Sequence, residues 1–445
     1  MDEKGDVATR LKRYVQVGGA LTNVASRRAA DKILGRATDA AKESAQMAAV
    51  MGTLKGPLMK VAQFLSTVPD ALPQDYTQAF AALQSQAPAM GWAFVKRRMQ
   101  GELGPDWSAR FGDFSREACA AASLGQVHRA TLLDGRLAAC KLQYPHMAAT
   151  MEADLTQLKM GLKLYEATFG ALETENILLE IAAHLRAELD YTREAHHMGL
   201  FAKIFEGDTQ IHVPTCIEDL STKQLLTMTW LEGRPLAAFK DEPQETRNAI
   251  AKNLFRAWYK PLYHYGVLHG DPHLGNYTVE GASINLFDFG CVRIFSPSFL
   301  QSTLDLREAI GSGSRDMAAA AYASWGFGDL SNAHIDALNM WAAMLYEPLL
   351  DNRVRPIQEG NSGVEGRERA ASVHAKLREL GGVRPPREFV FLDRAAVGIG
   401  SAFMHLGAEL NWRTLFEELI ADFSAEKVSA RQDALMGKGH APPAL

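Results

Sequence analysis

One dipeptide constrains this 445-residue chain more than any other feature. Asp134-Gly135 lies between two apolar runs in "QVHRATLLDGRLAACKLQY". A tight turn of this composition takes positive φ and joins two antiparallel strands. Residues 127–132 and 137–142 are therefore expected to form a hairpin. Most of the surrounding chain reads as helix. Ala-rich periodic runs such as "TDAAKESAQMAAVMGTL" fill the stretch up to about residue 105, with breaks at Gly56-Pro57 and Leu72-Pro73. Proline suits a first helical position at both breaks. Helical patterns return over residues 148–204 and dominate from about residue 244, interrupted near 267–293; a further strand is expected around 225–230. Helices, a small sheet and a mostly helical C-terminal part make an α+β protein.

The apolar fraction of 47% is ample for a real core, and the formal net charge of -5 argues against a dedicated nucleic-acid binder. The four cysteines, Cys119, Cys140, Cys216 and Cys291, form no CxxC pattern and suit a reducing compartment. "MDEKGDVATR" lacks the apolar region of a secretory signal. Two low-charge apolar stretches, residues 317–328 and 395–408, are shorter than the ~20 residues a bilayer span needs. The expectation is a cytoplasmic protein, soluble or peripheral to a membrane.

Four pieces carry chemistry. The first is "AAASLGQVH". Set against the kinase loop G-x-G-x-x-G-x-V, it places Ala120, Ala122, Gly125 and Val127 in the four fixed positions. Alanine restricts the positive φ and close backbone approach that glycine allows, so Ala122 is expected to limit closure on a γ-phosphate. Lys141 follows on the next strand, in "AACK", where kinases keep a phosphate-pairing lysine. The second piece, "HGDPHLGNY", matches H-x-D-x-x-x-x-N, with Asp271 as proton acceptor and Asn276 as an oxygen ligand for Mg²⁺. The third, "INLFDFGCV", runs from an apolar strand into Asp288, a second Mg²⁺ ligand. Each alone is equally an ordinary turn or strand end. In this order and spacing, chance is a poor explanation.

The fourth piece is a carboxylate for Lys141. "EIAAHLRAELDYTREAHHM" reads as one helix offering Glu188 and Glu194, six residues apart and so at different azimuths; one of them pairs with Lys141. "TMTWLEGRPL" is a hinge candidate whose backbone could meet an adenine edge. A metal-hydrolase reading of His269, Asp271 and His273 as zinc ligands lacks a matching second cluster.

Together these pieces resemble the UbiB-type atypical kinases, the aarF-domain-containing family tied to ubiquinone and isoprenoid lipid metabolism. "AAASLGQVH", "CKLQYP", "ELDYTREA", "HGDPHLGN" and "FDFG" resemble its motifs, and "KVAQ" resembles its K-x-G-Q signature, placing Lys60 and Gln63 in it. Ala62 stands at the signature glycine, which favours helix by ~1 kcal/mol. The resemblance spans roughly residues 55–300 and is specific as a set.

It implies a two-lobed protein-kinase-like fold with a helical N-terminal extension over the active-site cleft. The implied division is 1–105 for the extension, 106–231 for the N-lobe and 232–445 for the C-lobe. It implies that Glu188 pairs with Lys141, while Lys60 and Gln63 approach Glu194. Asp271, Lys141 and Glu188 would be catalytic. Ala120, Ala121, Ala122, Ser123, Gly125, Val127 and Lys141, with Lys60, Gln63 and Glu194, would hold the nucleotide. Asn276 and Asp288 would hold the metal. The implied cofactors are ATP or ADP and Mg²⁺. The implied activity is an ATPase linked to isoprenoid and quinone-pathway lipids or proteins, rather than conventional protein phosphorylation. A phosphotransferase acting on a small-molecule or lipid hydroxyl, and a pseudokinase-like nucleotide sensor, are the alternatives.

Overall fold

The computed structural model describes residues 90–437, apart from 123, 146, 150, 153–154, 157–158, 160–174, 360–371, 374, 378 and 384. Lys60, Ala62, Gln63 and both expected proline breaks lie outside the described residues, as does Ser123. The chain divides into two compact units.

The larger unit comprises Trp92–Ala120, Val127–Gln143 and Arg186–Leu445. Its elements begin with α1 (Trp92–Leu103), β1 (Phe111–Ala122), β2 (Gly125–Leu132) and β3 (Leu137–Gln143). The β2–β3 connection is the expected Asp-Gly turn. Only Gly135 takes a positive φ, +86°. Asp134 stays in ordinary backbone and accepts a hydrogen bond from Arg136 N at 3.0 Å, while Leu132 N donates to Arg136 O at 2.8 Å. Helix α2 (Glu175–Glu188) belongs to the smaller unit up to Leu185, and the larger unit continues with α3 (Tyr191–Ile204), β4 (Ile211–His212) and β5 (Leu225–Thr229). The first sheet has the order β1-β2-β3-β5, with Lys141 on β3 opposite Leu226 of antiparallel β5. Strand β3 is buried along nearly its whole length, so small residues (Ala138, Ala139, Cys140) fill it instead of a simple alternation.

The expected single helix over "EIAAHLRAELDYTREAHHM" is two helices. The break falls at Leu189-Asp190. Asp190 is extended (φ −107°, ψ 92°), and its carboxylate accepts from Thr192 N and Arg193 N, capping α3. The break is held from outside: Gln143 Nε2 of β3 donates to Leu189 O at 3.1 Å, and Tyr191 N donates to Lys223 O at 3.1 Å.

The hinge candidate links two sheets. After β5 the chain enters β6 (Arg234–Pro235), the long helix α4 (Gln244–Tyr265), β7 (Val267–His269), β8 (Tyr277–Glu280), β9 (Ser283–Leu286) and β10 (Val292–Ile294). The second sheet has the order β4-β9-β8-β6, and β7 pairs with β10 in a separate antiparallel ribbon. The remaining elements are α5 (Pro297–Ser312), α6 (Arg315–Ser324), α7 (Asn332–Leu350), β11 (Arg355–Pro356), α8 (Arg387–Leu406), β12 (Glu409–Leu410), α9 (Trp412–Ile420) and α10 (Ala425–Met436). Helix α4 is the axis of this core. It buries Ile250, Leu254, Phe255, Trp258 and Leu262, and Phe255 lies 6.2 Å from Phe403 and 6.0 Å from Trp412 between ring centroids.

Helix α8 starts earlier than the apolar stretch marked in the sequence, because Pro386 sets its N-cap. Among the described residues it is the one helix long and apolar enough to cross a membrane by length and composition. Its stripe of Phe391, Ala395, Ile399, Ala402, Phe403 and Leu406 is buried in the core of this unit.

The smaller unit comprises Met1–Gly91, Ala121–Gln126 and Tyr144–Leu185. In its described part the Gln126 amide serves the backbone of Met90 twice: Oε1 accepts from Met90 N (2.5 Å) and Nε2 donates to Met90 O (3.3 Å). Tyr144 N donates to Leu124 O at 3.0 Å.

Gly266 ends α4 in the left-handed region, φ +66°. A Cβ there would lie 2.2 Å from Gln432 Nε2 and 2.6 Å from Phe295 O. Gln432 itself donates to Phe295 O at 2.8 Å, so neither neighbour is free to withdraw. Gly266→Ala is expected to destabilise the protein by ~2 kcal/mol or more, combining left-handed strain with a backbone clash. Urea unfolding should show a lower midpoint with an unchanged slope.

Candidate active site

The site is built on four pieces of backbone in the larger unit: strand β3, the first turn of α3, and the two loops flanking the β7–β10 ribbon. Lys141 Nζ donates to Glu194 Oε1 at 2.7 Å and Oε2 at 3.0 Å, and lies 3.6 Å from Asp288 Oδ1. Tyr191 sets its ring centroid 5.2 Å from the same nitrogen. Lys141 is 8% exposed and Glu194 3%. Burial opposes the charge on Lys141, but Asp288 and then Glu194 outweigh it and hold its pKa above the usual lysine value. Burial pushes the Glu194 carboxyl up, while Lys141 pulls it back.

The expected Glu188–Lys141 pair is not formed: Lys141 bonds Glu194. The Leu189-Asp190 break puts Glu188 at the end of α2 and Glu194 in the first turn of α3, where the helix N-terminus favours a carboxylate. Glu188 is buried near the Asp288 loop, its Cγ 3.6 Å from where a Cβ on Gly290 would stand.

Asp288 has φ +58° and is the one non-glycine residue with positive φ among the described residues. Gly290 N donates to its Oδ1 at 3.3 Å. Phe289 anchors the loop. Its ring is buried, 5.1 Å from Phe201 of α3 and 5.6 Å from His269. His197 Nδ1 donates to Phe289 O at 3.1 Å; burial pulls this imidazole down to about 4, so it is neutral at physiological pH.

The β7–β10 ribbon brings the second loop alongside. Val292 pairs with His269, and Gly270 N donates to Cys291 O at 2.6 Å. His269 Nε2 donates to Phe287 O at 3.1 Å. Asn276 Nδ2 donates to Asp271 O at 2.8 Å, and Phe287 N donates to Asn276 O at 3.0 Å, so Asn276 ties the Asp271 loop to the strand end before Asp288. His273 Nδ1 accepts from Gly275 N at 3.1 Å. With His269 buried on a carbonyl and His273 turned into its own loop, the zinc reading finds no support. Among the described residues no cluster of three His, Cys, Asp or Glu could hold a metal. The donor set of Asp288 carboxylate and Asn276 amide oxygen fits Mg²⁺, a hard cation that takes few protein ligands and keeps water or phosphate for the rest.

The alanine-rich stretch is a strand end and turn. Ala120, Ala121 and Ala122 close β1, and Gly125 and Val127 open β2. The side chains of Ala121 and Ala122 lie outside the described set.

Residues 82–320 match the family model described as the ABC1 atypical kinase-like domain. The chain belongs to this family. Its relatives include the atypical kinase COQ8, mitochondrial, of Saccharomyces cerevisiae, 27% identical over 387 residues covering 83% of this chain and 74% of that protein. The atypical kinase COQ8B, mitochondrial, of Rattus norvegicus is 28% identical over 376 residues, covering 82% and 70%. The structure of Rv3197 from Mycobacterium tuberculosis, solved in complex with erythromycin, aligns with a TM-score of 0.59 at 25% identity, over 89% of this chain and 98% of that one. This ABC1 chain therefore has a kinase-like fold.

One set of site neighbours had no signal among the motifs. Helix α8, some 120 residues beyond the Asp271 loop, packs directly on it. Arg394 Nη2 donates to Gly270 O at 3.0 Å and reaches Cys291 Sγ at 3.5 Å. A Cβ on Gly398 would lie 2.9 Å from Pro272 Cγ. The small residue Gly398 inside a helix was the available hint.

Breaking a buried ion pair strands the surviving charge. Glu194→Gln is expected to cost ~3–5 kcal/mol in chemical denaturation. The Lys141→Met/Glu194→Gln double variant should lose less than the sum of its singles. Additive losses would show that the pair is not coupled.

Proposed function

We propose that the protein binds Mg-ATP at the Lys141–Glu194–Asp288 constellation and hydrolyses it, in a role linked to isoprenoid or ubiquinone metabolism. The observation that carries the reading is the convergence of these three charged groups beside the Asp271–Asn276 loop. Lys141, held protonated, supplies a fixed cation for phosphate oxygens. Asp288 and Asn276 would hold Mg²⁺, which supplies charge neutralisation at the phosphates when bound. Asp271 lies at the partly exposed surface of its loop, where it can orient an attacking water or hydroxyl and accept its proton. In sequence, the 120–127 stretch takes the place of the phosphate loop, and Lys60 and Gln63 the place of the K-x-G-Q signature. The division into extension, N-lobe and C-lobe at 105 and 231 belongs to the same proposal.

The metabolic link rests on the resemblance to the UbiB-type kinases and on relatives named as mitochondrial COQ8 kinases. Association with a membrane surface is part of it. A second reading, transfer of phosphate to a lipid or small-molecule hydroxyl, is favoured by the intact Asp271.

Purified protein with Mg-ATP, with and without anionic liposomes and quinone-precursor phenols, tests both readings. Phosphate release to water, stimulated by vesicles or phenols and lost in Asp288→Asn with the fold intact, is the expected result. Label moving to an added phenol would favour the transferase. Turnover unchanged in Asp288→Asn would overturn the site assignment, and Mg-ATP binding without turnover would favour a nucleotide sensor.

A further inference from the structure

The kinase catalytic loop reads H-R-D, with an arginine before the aspartate. Here that place is Gly270. A Cβ on Gly270 would lie 2.0 Å from Phe391 Cζ and 2.9 Å from Cys291 Sγ, so the space beside the loop is already filled. It is filled by α8, and α8 also carries a guanidinium to the same spot. Arg394 donates to Gly270 O and reaches Cys291 Sγ. It therefore touches the backbone one residue before Asp271 and the side chain three residues after Asp288. Two cations lie by the Phe391 ring, Arg293 Cζ at 4.8 Å and Arg394 Cζ at 5.8 Å from its centroid.

We propose that Arg394 is a positioning residue for the active site: from α8 it supplies the cation that the catalytic loop lacks, and it fixes the Asp271 and Asp288 loops relative to each other. A guanidinium suits this, because the two N–H groups of Nη2 alone serve a carbonyl and a sulfur on two different loops. The consequence for function rests on the Mg-nucleotide reading above. The structural coupling does not, and the test separates the two.

Hydrogen exchange of the full chain without nucleotide reads the coupling. Arg394→Met is expected to speed exchange across residues 270–276 and 288–292 by about tenfold, the loss of one charge-assisted hydrogen bond. The β8–β9 hairpin should stay as protected as in the wild type. Arg394→Lys keeps the charge but not the guanidinium, and should fall between. If Arg394→Met does not accumulate as folded protein, Arg394→Lys against wild type carries the comparison. Unchanged exchange in both loops, or an equal rise over the whole unit, would overturn the proposal. A parallel titration follows thermal stabilisation by ATP against Mg²⁺. Arg394→Met should raise the half-saturating Mg²⁺ concentration several-fold, with partial recovery in Arg394→Lys. A wild type that gains no stability from Mg-ATP would count against the proposed function, while the exchange result would still decide the positioning role.

Discussion

A lysine and a glutamate buried against each other set the terms for the rest of this structure. Removing either charge from water costs several kcal/mol, which the partner offsets, with Asp288 also contributing at Lys141. Lys141 comes from a strand and Glu194 from the first turn of a helix, so β3 and α3 dock in one register or leave a charge stranded. Two hydrogen bonds outside the pair support the same docking. Gln143 of β3 reaches Leu189 O just before α3 starts, and the Asp190 carboxylate caps the helix that presents Glu194. The pair is thus less a source of net stability than a specification of where the first sheet meets its helix.

From α3 the constraint passes to the loops by packing. Phe201 stands two turns along from Glu194 and meets Phe289; His197, between them, bonds the Phe289 carbonyl. Asp288 returns to Lys141 at 3.6 Å, closing the circuit from strand to helix to loop and back to strand. The β7–β10 ribbon then holds the Asp271 loop against this circuit through backbone bonds, joined by the Asn276 and Arg394 side chains, which bond Asp271 O and Gly270 O.

The hairpin, its lysine and the two polar loops were legible because each rests on local rules: turn-forming Gly135, two apolar runs around it, and short spacings such as Asp271 to Asn276. The fold class followed from them. Glu188 as the partner of Lys141 came from the resemblance alone, and the structure pairs Lys141 with Glu194 instead; what the residues themselves suggested was one continuous helix through Leu189-Asp190. The propensities there favour helix, and the break is imposed from outside by Gln143 and Lys223, residues far off in sequence. Asp190, a residue type favoured at helix N-caps, was the local clue. The role of α8 was invisible for a different reason. Arg394, Phe391 and Gly398 act only through tertiary contact with Gly270, Pro272 and Cys291, and no periodicity encodes which loop a helix will meet.

The strained backbone at Asp288 shows how these parts depend on each other. A left-handed conformation costs a residue with a Cβ ~1–2 kcal/mol, which a free loop would relieve. Here the next residue buries a phenylalanine ring, worth ~2–3 kcal/mol of apolar transfer. Relaxing Asp288 would withdraw Phe289 from Phe201 and His269. The preceding residue is fixed as well, since Phe287 N bonds Asn276 O and Phe287 O accepts from His269. Held on both sides, Asp288 keeps its carboxylate near Lys141 through the folding energy of its neighbours. A cation binding there would meet oxygens already in place, and the ordering cost would have been met when the chain folded.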